Sequence, residues 1–462
     1  MSNKELEAAM FHNTDSVYFK RDDKVKEARE FASDYIKFIG SAKTEREVVE
    51  YAIGILGDRA VPYEYGKKYC AGDVVYVNNR NKSLVAVKFG KRPLNEGLRI
   101  IASHVDSPRL DTKPNPVYED NGLAFIKSHY YGGIKKYQWT AIPLAMHGTV
   151  ILRDGSKVKV TIGEAEDEKC FCVTDILPHL AYKLQGDRKE AEVIKGEELN
   201  ILAASIPEQD TEYKDPVKYT LMKYLYENYG ITEDDLITSE IEFVPAFRPR
   251  YLGVDESMIG AYGQDARVCA YAATVAFAET EDPEYTSMLV LADREEIGSQ
   301  GNTGLDSNMI TNVVADMCRA NGGYPDIVLN RSKCFSSDVS AAFDPTFSSA
   351  YEVRNASKIN CGVSIEKYTG ARGKSGTSEA TAEYYAWVRS ILDGNNIPWQ
   401  ADELGKIDEG GGGTVAKFIA ALGADVIDIG APVLSMHAPF EVTGIFDIYA
   451  LHEADKEFYK AE

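Results

Sequence analysis

The apolar positions of this chain change their period along its length. From Asp23 to Gly57 the spacing is helical. Ala28, Phe31, Tyr35 and Phe38 mark one apolar face, and after a break Thr44 and Glu47 form a capping box ahead of Val48, Ala52, Ile53 and Leu56, with Gly57 as the stop. Three extended runs follow, VVYVNN, SLVAVKFG and LRIIASHVDSP, and the last ends in a polar cluster holding His104 and Asp106. Between about Pro108 and Phe247 short alternating strands, TVILR (149–153), KVKVTIG (157–163) and CFCV (170–173), are separated by Gly, Asp and Lys. That spacing predicts an antiparallel unit, closed by the amphipathic helix DPVKYTLMKYLYENYG. After Tyr251 a loop with Gly260, Gly263 and Asp265 opens the helix ARVCAYAATVAFAET. The strand MLVLA, a helix over about 306–321, a strand DIVLN and the segment FSSDVSAAFDP come next. A strand near VSIEKY, the helix TSEATAEYYAWVRSIL, a Gly410 to Gly413 run before a helix TVAKFIAAL, the strand ADVIDIGAP and a last helix from about Glu441 complete the chain.

Strands alternating with helices predict an α/β fold with a mostly parallel sheet flanked by helices. The antiparallel texture in the middle predicts an inserted β-rich domain. The boundaries are 1–107 for the first part of one domain, 108–249 for the insert and 250–462 for the second part. A chain of 462 residues is too long for one ordinary core, which fits this division. The net charge of −21 argues against a nucleic-acid partner or an anionic membrane surface, because like charge repels both. Seven scattered cysteines without a Cys-x-x-Cys pair read as reduced thiols, the start of the chain lacks the apolar core of a signal peptide, and no run of eighteen apolar residues occurs. The expectation is a cytoplasmic protein.

Candidate chemistry gathers where apolar strands stop. MLVLA runs into Asp293, Arg294, Glu295 and Glu296, and in an open α/β sheet ligands bind outside the carboxyl ends of the strands. Adjacent residues leaving a strand point in opposite directions, so one of Glu295 and Glu296 can hold a cation while the other faces a water. His104, Asp106, Asp265, Asp338 and His437 also end strands or open helices. Taken singly, His104 and His437 read more readily as structural histidines and Asp265 as a helix cap, while Asp338 also suits a turn cap and Arg294 the counter-ion of a charged turn. Taken jointly, they offer the mixed nitrogen and oxygen donors that suit zinc, cobalt or manganese. Their number exceeds one tetrahedral site and fits two metals sharing a carboxylate. A phosphate-loop reading of RGKSG fails, because the required glycine five residues before Gly373 is Tyr368. Arg372 and Lys374 remain either a clamp for a substrate carboxylate or solvated surface charge.

The ordered series SHVDSPRLD, GQDAR, DREEIGSQG, SSDVSAAFDP and MHAPFE, spread over nearly the whole chain, resembles the M18 metallopeptidases, the aspartyl aminopeptidase family. The resemblance implies a zinc-peptidase-like fold whose insert is a dimerisation domain. The implied reaction removes one N-terminal residue at a time from peptides. It implies two divalent metal ions, zinc first and cobalt or manganese as alternatives, one held by His104, Asp265 and Asp338 and the other by Glu296, His437 and the bridging Asp265. Glu295 would be the general base, and Asp106 would orient His104. His179, in LPHLAYKL, matches a histidine that reaches a neighbouring subunit's site, and the family's tetrahedral dodecamer is the implied homo-oligomer. One stretch departs from the eukaryotic pattern. Where a DMAHAVHP-like segment carries two histidines, DVSAAFDP has Ala341 and Asp344, as in a bacterial subgroup, which leaves the preference for acidic first residues (Asp or Glu) open. The other readings are a related dimetal amidohydrolase, such as a carboxypeptidase or deacylase, and a non-catalytic assembly scaffold.

Overall fold

The computed structural model describes residues 22–462 together with Ser2, Leu6, Glu7, Met10, Phe11, Ser16 and Val17. The helix Val25–Ser41 buries Ala28, Ala32, Tyr35, Phe38 and Ile39 on one stripe. The helix Glu45–Leu56 starts at a complete capping box: the Thr44 hydroxyl accepts the Glu47 amide, the Glu47 carboxylate accepts the Thr44 amide, and Gly57 at φ 64° ends the helix. Four strands follow, β1 (Ala60–Pro62), β2 (Val74–Asn79), β3 (Ser83–Lys88) and β4 (Arg99–His104).

The chain then builds a sheet of its own from β5 (Arg109–Asp120), β6 (Leu123–Tyr131), β7 (Leu144–Ile151), β8 (Lys157–Ile162), β9 (Cys172–Val173), β10 (Asn200–Ala204) and β11 (Ser239–Pro245). Its order is β8-β7-β11-β5-β6-β10-β9, and its neighbours pair antiparallel. It carries a separate core with Trp139, Phe171, Phe243 and the apolar stripe of the helix Pro216–Tyr229.

The remaining strands are β12 (Arg250–Leu252), β13 (Met258–Ala261), β14 (Ser287–Ala292), β15 (Lys333–Ser337), β16 (Ser340–Ala341), β17 (Val363–Glu366), β18 (Trp399–Asp402), β19 (Asp425–Gly430), β20 (Pro432–Leu434) and β21 (Glu441–Gly444). The central sheet runs β1-β2-β3-β14-β4-β15-β19-β17-β18, with β14, β4, β15 and β19 parallel at its middle. Antiparallel pairs occur at β2–β3, β3–β14 and β17–β19. Every residue of β14 is buried. Leu289 and Leu291 enter the core under the helices Val25–Ser41 and Gln264–Glu279, while Met288, Val290 and Ala292 enter the core on the other face, with the helix Met309–Asn321. Burial on both faces is why this strand is an unbroken apolar run. A small third sheet, β12-β13-β21-β20-β16, lies beside the carboxyl ends of the central strands.

Several elements differ from the sequence expectation; the helix expected over TSEATAEYYAWVRSIL starts only at Ala382, where the Thr381 hydroxyl caps it. DIVLN lies in a helix, Pro325–Asn330, with proline at its start and a helical bond from the Val328 amide to the Tyr324 carbonyl. The strand beside it is Lys333–Ser337. A short apolar run does not by itself separate a buried strand from one helical turn. The last helix is Ile445–Lys460, because Glu441–Gly444 pairs with β13 as a strand. TVAKFIAAL is α-helical only over Ala416–Ala420. The seven cysteines are free, and among the described residues no helix is long and apolar enough to cross a membrane.

Candidate metal centre

Three parallel neighbours deliver polar residues to one edge of the central sheet. β4 ends on His104, β14 ends just before Asp293, and β15 ends just before Asp338. After Asp293 the chain turns through Arg294 at φ 72° into a short 3-10 turn, Glu295–Ile297. Asp265 lies in the first turn of the helix Gln264–Glu279. It is not the cap; Gly263 holds that position at φ 67°, where a Cβ would collide with the Arg267 side chain and Ser107. His437 comes from the turn between β20 and β21, at φ 64°. A non-glycine residue in this region stores about 1–3 kcal/mol of strain and persists only where its surroundings hold it.

The side chains converge in two groups that share Asp265. The candidate ligand atoms of His104, Asp265 and Asp338 lie within 4.8 Å of one another, as do those of Asp265, Glu296 and His437. His104 Nε2 is 3.5 Å from Asp338 Oδ1 and 4.0 Å from Asp265 Oδ2. His437 Nε2 is 3.5 Å from Asp265 Oδ2 and 3.6 Å from Glu296 Oε2. Both imidazoles use their other nitrogen on a backbone carbonyl, His104 Nδ1 on Asp106 at 3.1 Å and His437 Nδ1 on Gly133 at 2.9 Å. These partners fix the tautomers with Nε2 facing the carboxylates, which is how metal-binding histidines are oriented.

The charge balance asks for cations. Asp265, Glu295, Glu296 and Asp338 surround two imidazoles, and no Lys or Arg ion pair reaches these four carboxylates among the described residues. Burial pushes the Glu295 carboxyl up to about 8, opposed by His104 and reinforced by Asp338 and Asp106. Burial and Asp265 together push Glu296 well above the carboxylate range, and its Oε1 is buried without a hydrogen-bond partner. His437 rises to about 11, because the Asp265 and Glu296 carboxylates outweigh its burial. A donor set of imidazoles and carboxylates, one of which keeps a buried oxygen without a hydrogen-bond partner, fits divalent metal ions.

Behind this cluster stand two carboxylates that each grip two backbone amides. Asp106, fully buried, accepts the Glu295 amide at 3.0 Å and the Glu296 amide at 3.2 Å, together with the Tyr131 hydroxyl at 2.8 Å. Its carboxylate is 3.5 Å from His104 Nδ1, so the closer contact to His104 is the Asp106 carbonyl. Glu441 accepts the His437 amide at 2.7 Å and the Asp265 amide at 3.1 Å. Sequence reading passed over Glu441, Tyr131 and Gly133. The only signal was proximity, since Glu441 closes the MHAPFE motif.

Other candidates lie apart. Arg372 and Lys374 occupy an exposed turn closed by paired bonds between Ala371 and Ser375, and Lys374 is engaged by Glu379 at 3.0 Å and the Tyr368 ring. None of the recorded partners of this turn belongs to the cluster. His179 is exposed on the helix Pro178–Leu184, among the exposed Leu177, Leu180, Tyr182 and Leu184. Ala341 lies in β16, and Asp344 caps the turn that follows by accepting the Thr346 amide at 2.8 Å.

Comparison with known proteins extends these observations. The family model described as Aminopeptidase I zinc metalloprotease (M18) matches residues 38–459. A Clostridium acetobutylicum chain named Probable M18 family aminopeptidase 1 is 46% identical over 444 residues, covering 94% of this chain and 95% of its own length. A Borrelia garinii subsp. bavariensis chain of the same name is 45% identical over 438 residues, covering 93% and 95%. The crystal structure of an M18 aminopeptidase from Thermotoga maritima superposes with a TM-score of 0.92 at 40% identity, covering 98% of this chain and all of that one. The chain belongs to the M18 family of zinc metallopeptidases and is an aminopeptidase, a hydrolase of peptide bonds.

Proposed function

We propose that this aminopeptidase works with two divalent ions per subunit, zinc by preference, held by His104, Asp265 and Asp338 at one position and by Asp265, Glu296 and His437 at the other. The observation that carries the proposal is that these residues form two compact donor groups joined by Asp265. When bound, such a pair of cations would supply Lewis acidity that takes the lone pair of an unprotonated amine, polarises the scissile carbonyl and acidifies a water. The chain's own residues do the rest. Glu295 lies among His104, Asp338, Asp106 and Asp265, where burial favours its protonated form in the absence of cations and the positive charge of bound ions would hold it ionised, as a base must be. It takes the proton of the attacking water and passes it to the leaving amine. Asp106 keeps Glu295 in place through the Glu295 amide. The substrate is then a peptide with a free N-terminus.

We further propose that residues 108–249 form a dimerisation insert between the two parts of the catalytic domain, 1–107 and 250–462. The exposed apolar residues around His179 support burial against another subunit, since a row of Leu and Tyr side chains left in water is costly. Assembly would carry His179 to a neighbouring site, up to the closed tetrahedral dodecamer.

The experiment is release of the first residue from matched free and N-acetylated peptides, before and after chelation and after restoring zinc, cobalt or manganese. Metal-restored cleavage of free-amine peptides alone, ranked over acidic, neutral and basic first residues, is the expected result. Cleavage of the acetylated peptides indicates an amidohydrolase of another kind, and no cleavage at full metal loading indicates a scaffold.

A further inference from the structure

The end of β6, in the inserted sheet, touches the candidate centre at three consecutive residues. The Tyr131 hydroxyl donates to Asp106 Oδ2 at 2.8 Å, the carboxylate that holds the Glu295 and Glu296 amides, and the Tyr131 ring stacks on the Arg109 guanidinium at 3.9 Å. Gly132, at φ 77°, packs against Glu296: a Cβ there would stand 3.0 Å from Glu296 Oε2 and 3.3 Å from Glu296 Cβ. The Gly133 carbonyl accepts His437 Nδ1–H at 2.9 Å. With Nδ1 so engaged, Nε2 is the nitrogen that faces Asp265 and Glu296.

We propose that Tyr131, Gly132 and Gly133 form a positioning strap by which the inserted sheet sets the Glu296–His437 half of the centre, so that this half binds metal only as well as the insert holds it. The inference rests on the two-metal reading above. The contacts are unequal between the halves. Gly132 and Gly133 touch Glu296 and His437, whereas His104 and Asp338 stand at the ends of adjacent central strands, and neither glycine has a recorded contact with them. Gly132 has two reasons to be glycine, its positive φ and the space that Glu296 occupies. Tyr131 acts one step further back, through Asp106 and the backbone of the Glu295–Glu296 turn.

The test titrates metal-free protein with zinc in competition with a chromophoric chelator, comparing wild type with Gly132→Ala and Tyr131→Phe. Wild type is expected to bind in two steps. Gly132→Ala should weaken one step about 10- to 100-fold, the usual effect of removing a partner behind a metal ligand, and leave the other unchanged. Alanine at this φ also lowers the melting temperature of the metal-free form, so the readout is the unequal effect on the two binding steps. Equal weakening of both steps, or wild-type affinity at both, overturns the proposal. Tyr131→Phe keeps the ring on Arg109 and removes only the hydroxyl. It should lower kcat about tenfold or more with KM held within about twofold, and a wild-type kcat overturns the proposal. If Gly132→Ala does not fold, the zinc titration of Tyr131→Phe decides: weakening confined to one step supports the strap, and equal weakening of both steps, as Asp106 also bonds His104, overturns it. A wild-type protein that binds fewer than two zinc ions overturns the two-metal reading itself, and the strap with it. Two wild-type steps with unaltered variants overturn only the strap.

Discussion

Glu441→Gln isolates the support behind the centre without touching a candidate ligand. The Glu441 side chain is 1% exposed and spans the amides of His437 and Asp265 with one oxygen each. Glutamine offers one acceptor oxygen and turns its NH2 toward the second amide, leaving a buried N–H without a partner. Losing a charge-assisted bond and orphaning that N–H together cost roughly 2.5–6 kcal/mol. Part of the cost is relieved if the His437 turn relaxes, because its φ of 64° stores about 1–3 kcal/mol that the Glu441 bond now holds in place. Relaxation swings His437 away from Asp265 and Glu296. At about 1.4 kcal/mol per factor of ten, zinc affinity at that position should fall about ten- to a hundredfold. Zinc content after equilibration in a zinc buffer, kcat/KM on a free-amine peptide and the melting temperature are the readouts, and all three should drop. Glu441→Asp, too short to span both amides, should behave alike. A lowered melting temperature with wild-type zinc affinity and kcat/KM would refute the reasoning, because the clamp would then serve folding alone.

Glu295→Gln should reduce kcat by about 10²–10⁴ while zinc content stays at the wild-type level; loss of zinc instead would mean that Glu295 is a ligand and Glu296 the base. Away from the centre, burial would raise the Glu47 carboxyl, but its bond to His147 prevails and holds it at about 2, below the ordinary 4.5. The partners of Glu47, His147 foremost with Lys159 and the Lys43 amide, together contribute on the order of 3 kcal/mol, present above pH ~4.5 and lost as pH falls toward 2, so His147→Gln should move the acid-unfolding midpoint upward, and an unmoved midpoint would sink the idea. In metal-free protein, burial holds protons on Glu295 up to about 8 and on Glu441 up to about 7, protons that the unfolded chain releases near pH 4.5. Metal-free stability should therefore decline as pH rises from about 5 to 8, while zinc, whose ligands must be deprotonated, removes the decline. Melting curves with parallel pH dependence in the two forms would contradict this.

Sequence legibility followed the range of the interactions. The Thr44–Glu47 capping box, the Gly57 stop and the doubly buried strand MLVLA are written in residues three or four apart or in one run, and each stands where the pattern put it. His104, Asp106, Glu295, Glu296 and Asp338 could be collected because a parallel sheet aligns its carboxyl ends, so residues far apart in sequence reach one edge, whereas Asp265 and His437 arrive from a helix start and a turn of the third sheet. What was not legible depends on pairing at long range. Glu441–Gly444 reads as the start of a helix until β13 is available to pair with it, and only that pairing sets Glu441 under Asp265 and His437. Gly133 contributes a backbone carbonyl, to which side-chain identity gives no clue. Arg372 and Lys374 drew attention through the RGKSG stretch and its paired cations, and the structure gives Lys374 to Glu379 and Tyr368.

Asp106 and Glu441 perform the same operation on opposite sides of the centre. Each gathers two amides from residues whose side chains face the cluster, Glu295 with Glu296 and Asp265 with His437. A carboxylate suits the task because it accepts on two oxygens and has no donor to waste, so one side chain fixes two loop segments relative to each other. Serine or asparagine offers a single acceptor atom. The clamps also bring two more acidic groups into a buried region that already holds Asp265, Glu295, Glu296 and Asp338 against two imidazoles. The order they impose is therefore conditional. Without cations the centre must hold protons on several of these carboxyls, and with divalent ions the same carboxyls can ionise together. The geometry of the loops and the uptake of metal are then two aspects of one electrostatic balance, which places substitutions at the clamps, one residue behind the candidate ligands, among those that change both.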